Sequence, residues 1–112
     1  MSKRYTPDTG DIIRLHFEFP GQDGHDDYKP ALVLSPLAYN KKTGLMVCCA
    51  ITTHIKGYPF EVLIGSGQQL AVLSDQVKSI NWVNTKISQQ GRVNAAELAQ
   101  VRAKLLALIS KA

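Results

Sequence analysis

The chain has 112 residues, 45% hydrophobic and 20% charged, which is typical of one globular domain and excludes intrinsic disorder. No apolar run approaches the ~20 residues of a membrane-spanning helix, and the N-terminus lacks a secretory signal. We therefore expect a cytoplasmic protein with a single domain over residues 1–112. The net charge of +4 is uneven, since residues 1–27 carry three bases and six acids, and the rest carry ten bases and three acids. A cationic body of this kind attracts nucleic acid, although a solvated basic face without a partner is about as common.

The first half of the chain predicts three strands. Apolar and polar side chains alternate over residues 11–18, which predicts a half-buried strand. Residues 20–28 show no periodicity and predict an exposed loop. A short apolar run over 30–35 predicts a second, more buried strand. Asn and Gly in the segment 39–44 indicate a turn, and residues 45–53, rich in β-branched and sulfur-containing side chains, predict a third strand.

The second half predicts further short strands and then a helix. Strands are expected at 60–64, 70–73 and 76–80, with a turn at Ser74-Asp75. Such regular spacing of turns is typical of a small antiparallel barrel or sandwich. Asn94 and Glu97 form a helix start signal, followed at helical spacing by Leu98, Val101, Leu105 and Leu108. The expected fold class is α+β, a strand-rich barrel with a C-terminal helix.

The two cysteines, Cys48 and Cys49, are adjacent in the sequence. Neighbours on a strand point to opposite faces, so we expect free buried thiols rather than a disulfide. The cysteines and histidines lack the spacing of a zinc site, and we expect no metal. Phosphate-binding glycine loops and the nucleophile elbow of hydrolases are also missing from the sequence.

Several polar residues are candidates for chemistry, each with a plainer interpretation. His25 lies in the acidic loop, where an imidazole can act as an acid or base near neutral pH. Lys29 follows two aspartates, and a surface salt bridge would explain it. Thr52 and Thr53 end a strand, where their hydroxyls face either a groove or solvent. The polar set over 75–79 fits a binding site or simply the rim of a turn.

Taken together, the segments resemble the MazF/PemK family of bacterial toxins. The resemblance runs over nearly the whole chain and is carried by Arg4-Tyr5, Pro7-Asp8, Gly10-Asp11, Pro30-Ala31, Val33–Pro36, Tyr39-Asn40, Lys42–Gly44, Thr52-Thr53, Lys56–Val62, Asp75–Ile80 and Trp82. It implies an SH3-like antiparallel barrel of the CcdB/Kid/MazF type with a C-terminal helix, and a homodimer without metal or cofactor. A cognate MazE-like antitoxin would cover the RNA groove with an acidic tail.

The family's activity is metal-free, sequence-specific cleavage of single-stranded messenger RNA. In it the ribose 2′-hydroxyl attacks the adjacent phosphate and leaves a 2′,3′-cyclic phosphate. The family threonine that ends the third strand matches Thr52, whereas the family arginine before the proline of the second strand is Lys29 here. A lysine keeps the charge but not the bidentate grip on phosphate, although it could instead transfer a proton. His25 is a candidate to compensate.

The resemblance further implies RNA contacts from Phe17, Thr53, Lys56, Asp75, Gln76, Lys78 and Ser79. An alternative is a non-catalytic protein with the toxin fold that binds gyrase or titrates antitoxin, because a fold alone does not define activity. The matches at Thr52 and over 75–79 favour the ribonuclease.

Overall fold

The computed structural model describes residues 4–18, 26–67 and 69–110, with the backbone alone for 16–18 and 26–28. Within these ranges the elements are β1 (Asp11–Glu18), β2 (Asp26–Val33), α1 (Leu37–Thr43), β3 (Leu45–Thr52), β4 (Glu61–Ile64), β5 (Leu70–Asn81), β6 (Ile87–Arg92) and α2 (Ala95–Ile109). The strands form one antiparallel sheet in the order β4-β5-β3-β2-β1-β6. The predicted α+β class, with an antiparallel sheet and a C-terminal helix, is confirmed. Neither described helix is long and apolar enough to span a membrane.

The sheet carries a hydrophobic cluster on each face. One cluster contains Ile13, Leu15, Ala31, Val33, Met46, Cys48 and Trp82. The other contains Leu32, Cys49, Ile51, Val62, Ile64, Val72 and Val101, the last of which comes from α2. Cys48 and Cys49 thus lie on opposite faces, as strand alternation requires. Both are buried free thiols, which confirms that prediction.

Helix α2 begins where the sequence predicts. The Asn94 side chain accepts from the Glu97 N–H at 2.8 Å, and the Glu97 carboxylate accepts from the Asn94 N–H at 2.9 Å. This reciprocal pair is a capping box. Val101 is fully buried, whereas Leu108 is 47% exposed and does not belong to the core face that the spacing predicted.

The predicted turn over 39–44 is wrong, because these residues lie mostly in helix α1. The Asn40 side chain is fully buried and donates to the carbonyls of Pro7 (2.8 Å) and Ser35 (3.0 Å). Gly44 ends the helix at φ 74°, and its N–H reaches the Asn40 carbonyl. The Gly therefore marks a helix C-terminus, where a left-handed residue is common, rather than the middle of a turn.

Three strand assignments also differ from prediction. The expected turn at Ser74-Asp75 is instead an irregularity within one continuous strand, β5. Strand β2 begins at Asp26, inside the predicted loop, because its backbone pairs with the end of β1. Strand β6 was missed, since only Ile87 of its residues packs against a core cluster and an edge strand needs no apolar alternation.

Candidate active site

The irregular part of β5 places polar side chains beside the end of β3. Cys49 pairs with Val77 and Ile51 pairs with Val72, so β5 contains extra residues over the same length of β3. Extra residues in one strand form a bulge, which re-aims side chains. Gln76 lies in this bulge and lines two cavities, which meet at its side chain.

The first cavity, of about 190 Å³, lies over β2, β3 and β5. Its polar lining comes from Lys29, Gln76 and Lys78, and its apolar lining comes from Leu15, Pro30, Ala31, Cys48, Cys49, Ala50, Ile51 and Ile80. Lys29 and Lys78 are both exposed. The cavity thus presents two cationic side chains above an apolar floor, an arrangement that suits a phosphate and part of a base or sugar.

We expect the thiols of Cys48 and Cys49, which are buried on opposite faces of the sheet, to react slowly with a disulfide reagent at about pH 8, because only the thiolate reacts. Burial raises the pKa of Cys48 to about 11, an effect that nearby Lys78 partly offsets, and burial raises that of Cys49 to about 12. Since these pKa values are higher in the folded state, the free energy of unfolding should fall as the pH rises above about 8.5. Rapid reaction without denaturant would contradict this, and single Cys→Ala variants would assign each thiol.

The second cavity, of about 530 Å³, lies beyond the end of β3 and is lined by Thr52, His54, Lys56, Tyr58, Glu61, Leu73 and Gln76. The Thr52 hydroxyl oxygen accepts a hydrogen bond from the His54 N–H at 3.0 Å. Because the Thr52 oxygen is the acceptor in this hydrogen bond, its hydroxyl proton is available to donate to a ligand oxygen. Lys56 adds an exposed cationic side chain.

The loop that carries Lys56 is held by the carboxylate of Glu61, which is 9% exposed. This carboxylate accepts from the backbone N–H groups of Lys56 (3.1 Å), Gly57 (2.9 Å) and Tyr58 (3.1 Å). From the other side, Lys104 of α2 donates to the backbone carbonyls of Pro59 (2.6 Å) and Glu61 (3.0 Å). The wall of the second cavity is therefore fixed by charge-assisted hydrogen bonds.

Tyr58 presents an aromatic ring to the same cavity. Its hydroxyl donates to Asp75, and this hydrogen bond, more than partial desolvation, raises the pKa of Tyr58. The ring lies 5.7 Å from that of Phe60, tilted by 51°. Tyr58 is 42% exposed, so the pair offers a fixed aromatic face of the kind on which single-stranded bases stack.

The structure brings together some of the sequence-predicted site residues. Lys29 and Lys78 line the first cavity, Thr52 and Lys56 line the second, and Gln76 lines both. Thr53 and Ser79 are exposed but line neither cavity, and Asp75 positions Tyr58. The backbone of Phe17 lies in β1, but its side chain and all of His25 lie outside the described residues.

Sequence reasoning missed three polar residues that line the second cavity, namely His54, Tyr58 and Glu61. The segment Lys56–Val62 carried part of the family resemblance, but nothing in it indicated that Glu61 points back at the backbone of its own loop. Among the described residues, no group of three or more histidine, cysteine or acidic side chains is placed to hold a metal ion. The expected absence of a metal remains a prediction.

The six-stranded antiparallel sheet, the C-terminal helix and the cationic side chains around the end of β3 agree with the toxin family that the sequence resembles. The model of the PemK-like, MazF-like toxin of type II toxin–antitoxin systems matches residues 8–109. The chain therefore belongs to this family.

Individual relatives and solved structures support this family assignment. The chain is 44% identical over 111 residues to the endoribonuclease toxin MazF of Escherichia coli K12, covering 97% of this chain and 99% of the relative. Among solved structures, it resembles a MazE–MazF complex from Deinococcus radiodurans with TM-score 0.89 at 40% identity, covering 97% of this chain and 100% of that one. An endoribonuclease from a mycobacterial species, bound to its cognate antitoxin, shares the fold at TM-score 0.76 and 21% identity, covering 95% of this chain and 97% of that one.

Proposed function

We propose that the chain is the toxin of a type II toxin–antitoxin pair and acts as an endoribonuclease on single-stranded messenger RNA. The observation that carries this is the placement of Lys29 and Thr52 in two cavities that meet at Gln76, within a chain of the toxin family. The curated relatives with 44% identity are endoribonucleases. Because its substrate is messenger RNA, we place its action in the cytoplasm.

The proposed chemistry is metal-independent transesterification at a short recognised sequence. The ribose 2′-oxygen bonds to phosphorus while the P–O5′ bond breaks, which leaves a 2′,3′-cyclic phosphate and a 5′-hydroxyl. Negative charge grows on the phosphoryl oxygens in the transition state, and donors aimed at these oxygens stabilise it. We assign this role to the Lys29 ammonium and the Thr52 hydroxyl.

The remaining predicted residues would bind the RNA on either side of the cleaved bond. Lys56 and Lys78 would contact phosphates from the two cavities, and Gln76 would contact the nucleotide between them. Thr53, Ser79 and Phe17 would extend the interface, and Asp75 would act through Tyr58. His25 stays a candidate for proton transfer.

The partner of the toxin is a MazE-like antitoxin, as in the MazE–MazF complexes that this fold matches. An acidic antitoxin segment would compete with RNA for the groove that holds Lys29, Lys56 and Lys78. We further propose that the active toxin is a homodimer.

The test is incubation of the purified protein with a mixed-sequence RNA and its DNA copy in the presence of EDTA, with fragment ends read by mass spectrometry. We expect RNA-only cleavage at one short motif, with 2′,3′-cyclic phosphate and 5′-hydroxyl ends. A Thr52→Ala protein prepared identically controls for contaminating nuclease. Intact RNA would refute the proposal and favour the non-catalytic toxin-fold protein, which a topoisomerase inhibition assay would then examine.

A further inference from the structure

Transesterification needs one group that accepts the 2′-hydroxyl proton and one that protonates the 5′-oxygen. Few of the described side chains that line the two cavities are suited to either task near neutral pH. Burial raises the pKa of the Cys48 and Cys49 thiols, and the hydrogen bond to Asp75 raises that of Tyr58. The Glu61 carboxylate is occupied by three backbone N–H groups.

The lysines of the groove serve a different purpose. Lys29, Lys56 and Lys78 are exposed cationic side chains that line the two cavities, and we assign them to phosphate binding and charge stabilisation. His54 is the remaining titratable side chain in the described lining, and imidazole is the side chain that ordinarily exchanges a proton between pH 5 and 8.

The geometry places His54 beside the other proposed catalytic group. Its backbone N–H is hydrogen-bonded to the Thr52 hydroxyl oxygen, which fixes residue 54 relative to that hydroxyl at the end of β3. Its exposed side chain lines the same cavity as Thr52 and Gln76. The His54 side chain and the Thr52 hydroxyl therefore line one cavity, the one in which we propose that the phosphate binds.

The charged and titratable groups around this imidazole come from the neighbouring loop, β4 and β5. They are Lys56 and Tyr58 of the loop, Glu61 of β4 and, behind Tyr58, Asp75 of β5. The Tyr58 hydroxyl and the Glu61 carboxylate are engaged in the hydrogen bonds described above. The His54 side chain, by contrast, is exposed and lines the cavity.

We propose that His54 is a catalytic proton-transfer residue of the RNA cleavage, an inference that rests on the proposed function. As the O2′–P bond forms and the P–O5′ bond breaks, one proton leaves the 2′-oxygen and one reaches the 5′-oxygen. His54 carries one of these two protons. No oxidant, metal or further reactant enters the step.

The test compares His54→Gln with Ile55→Gln, a matched change at the next residue, which lines neither cavity and is 40% exposed. We expect His54→Gln to lower kcat about 100-fold or more, with a smaller change in KM and one limb missing from the pH–rate profile. Free imidazole should restore part of the activity of His54→Ala. Ile55→Gln should have the kcat, KM and pH–rate profile of the wild type, and free imidazole should not change its activity.

A substrate with sulfur in place of the bridging 5′-oxygen identifies the proton. A thiolate leaves without protonation, so recovery of His54→Gln on this substrate supports a role as the acid, whereas an undiminished defect together with the missing pH limb supports a role as the base. A His54→Gln protein with the kcat and pH profile of Ile55→Gln would overturn the inference. Wild-type protein that leaves RNA intact would instead refute the proposed function, so the two failures are distinguishable.

Discussion

Lys29→Ala is expected to lower kcat for RNA cleavage about 100-fold, comparable to the loss of one transition-state donor in other enzymes. The side chain lies in the cationic cavity over β2, β3 and β5, next to Pro30 and on the same groove as Gln76. In the proposed mechanism the Lys29 ammonium would stabilise the charge that develops on the phosphoryl oxygens, and alanine would remove that stabilisation. Lys29→Arg should keep most of the activity or increase it, because guanidinium adds a bidentate grip on phosphate.

Lys86→Ala is the matched control for Lys29, since it removes one exposed lysine that lines neither cavity. Single-turnover cleavage of one oligonucleotide, measured for all three variants beside thermal unfolding, separates catalysis from folding. Equal activity of Lys29→Ala and Lys86→Ala would show that residue 29 contributes only to the general positive charge. In that case the replacement of a bidentate arginine contact by a single lysine contact to phosphate would have no consequence for the cleavage rate.

The parts of the fold that were predictable from sequence have a local or periodic cause. The alternation in β1 and the capping box of α2 are readable because the pattern and the structure involve the same few residues. Helix α1 was not predictable in this way. The burial of Asn40 depends on the carbonyls of Pro7 and Ser35, which the folded structure brings to its side chain. Strand β6 is held mainly by backbone pairing with β1, which leaves little trace in side-chain pattern.

The same distinction applies to the site. Thr52 and Lys29 were found through the family resemblance, and the polar set over 75–79 was noticed although its bulge looked like a turn. Gln76 lines both cavities because of the register shift between β3 and β5. That shift is a property of how the two strands pair, so it cannot be read from the sequence of either strand alone. The role of His54 similarly depends on a hydrogen bond to Thr52 and on a cavity shared with β5.

Glu61→Ala is expected to lower the free energy of unfolding by about 3 kcal/mol. The carboxylate is buried and accepts from three consecutive backbone N–H groups, at Lys56, Gly57 and Tyr58. Hydrogen bonds to a charged group contribute about 1.5–3 kcal/mol each. The loss should be less than the sum of three, because the loop is exposed and water can reach the released N–H groups. Glu61→Gln keeps one acceptor oxygen and should lose less.

Glu97→Ala is the comparison that isolates the effect of carboxylate burial on the free energy of unfolding. That carboxylate also accepts from backbone N–H groups, at Gly65 and Asn94, but near solvent, so its loss should cost about 1 kcal/mol. Urea unfolding at neutral pH measures both variants. Because the loop held by Glu61 forms a wall of the cavity that contains Thr52 and His54, Glu61→Ala should also raise KM for RNA, whereas Glu97→Ala should not. Equal stabilities of the two variants, with equal KM values, would mean that the loop keeps its shape without the Glu61 carboxylate and that the cavity wall is set by Lys104 and the sheet.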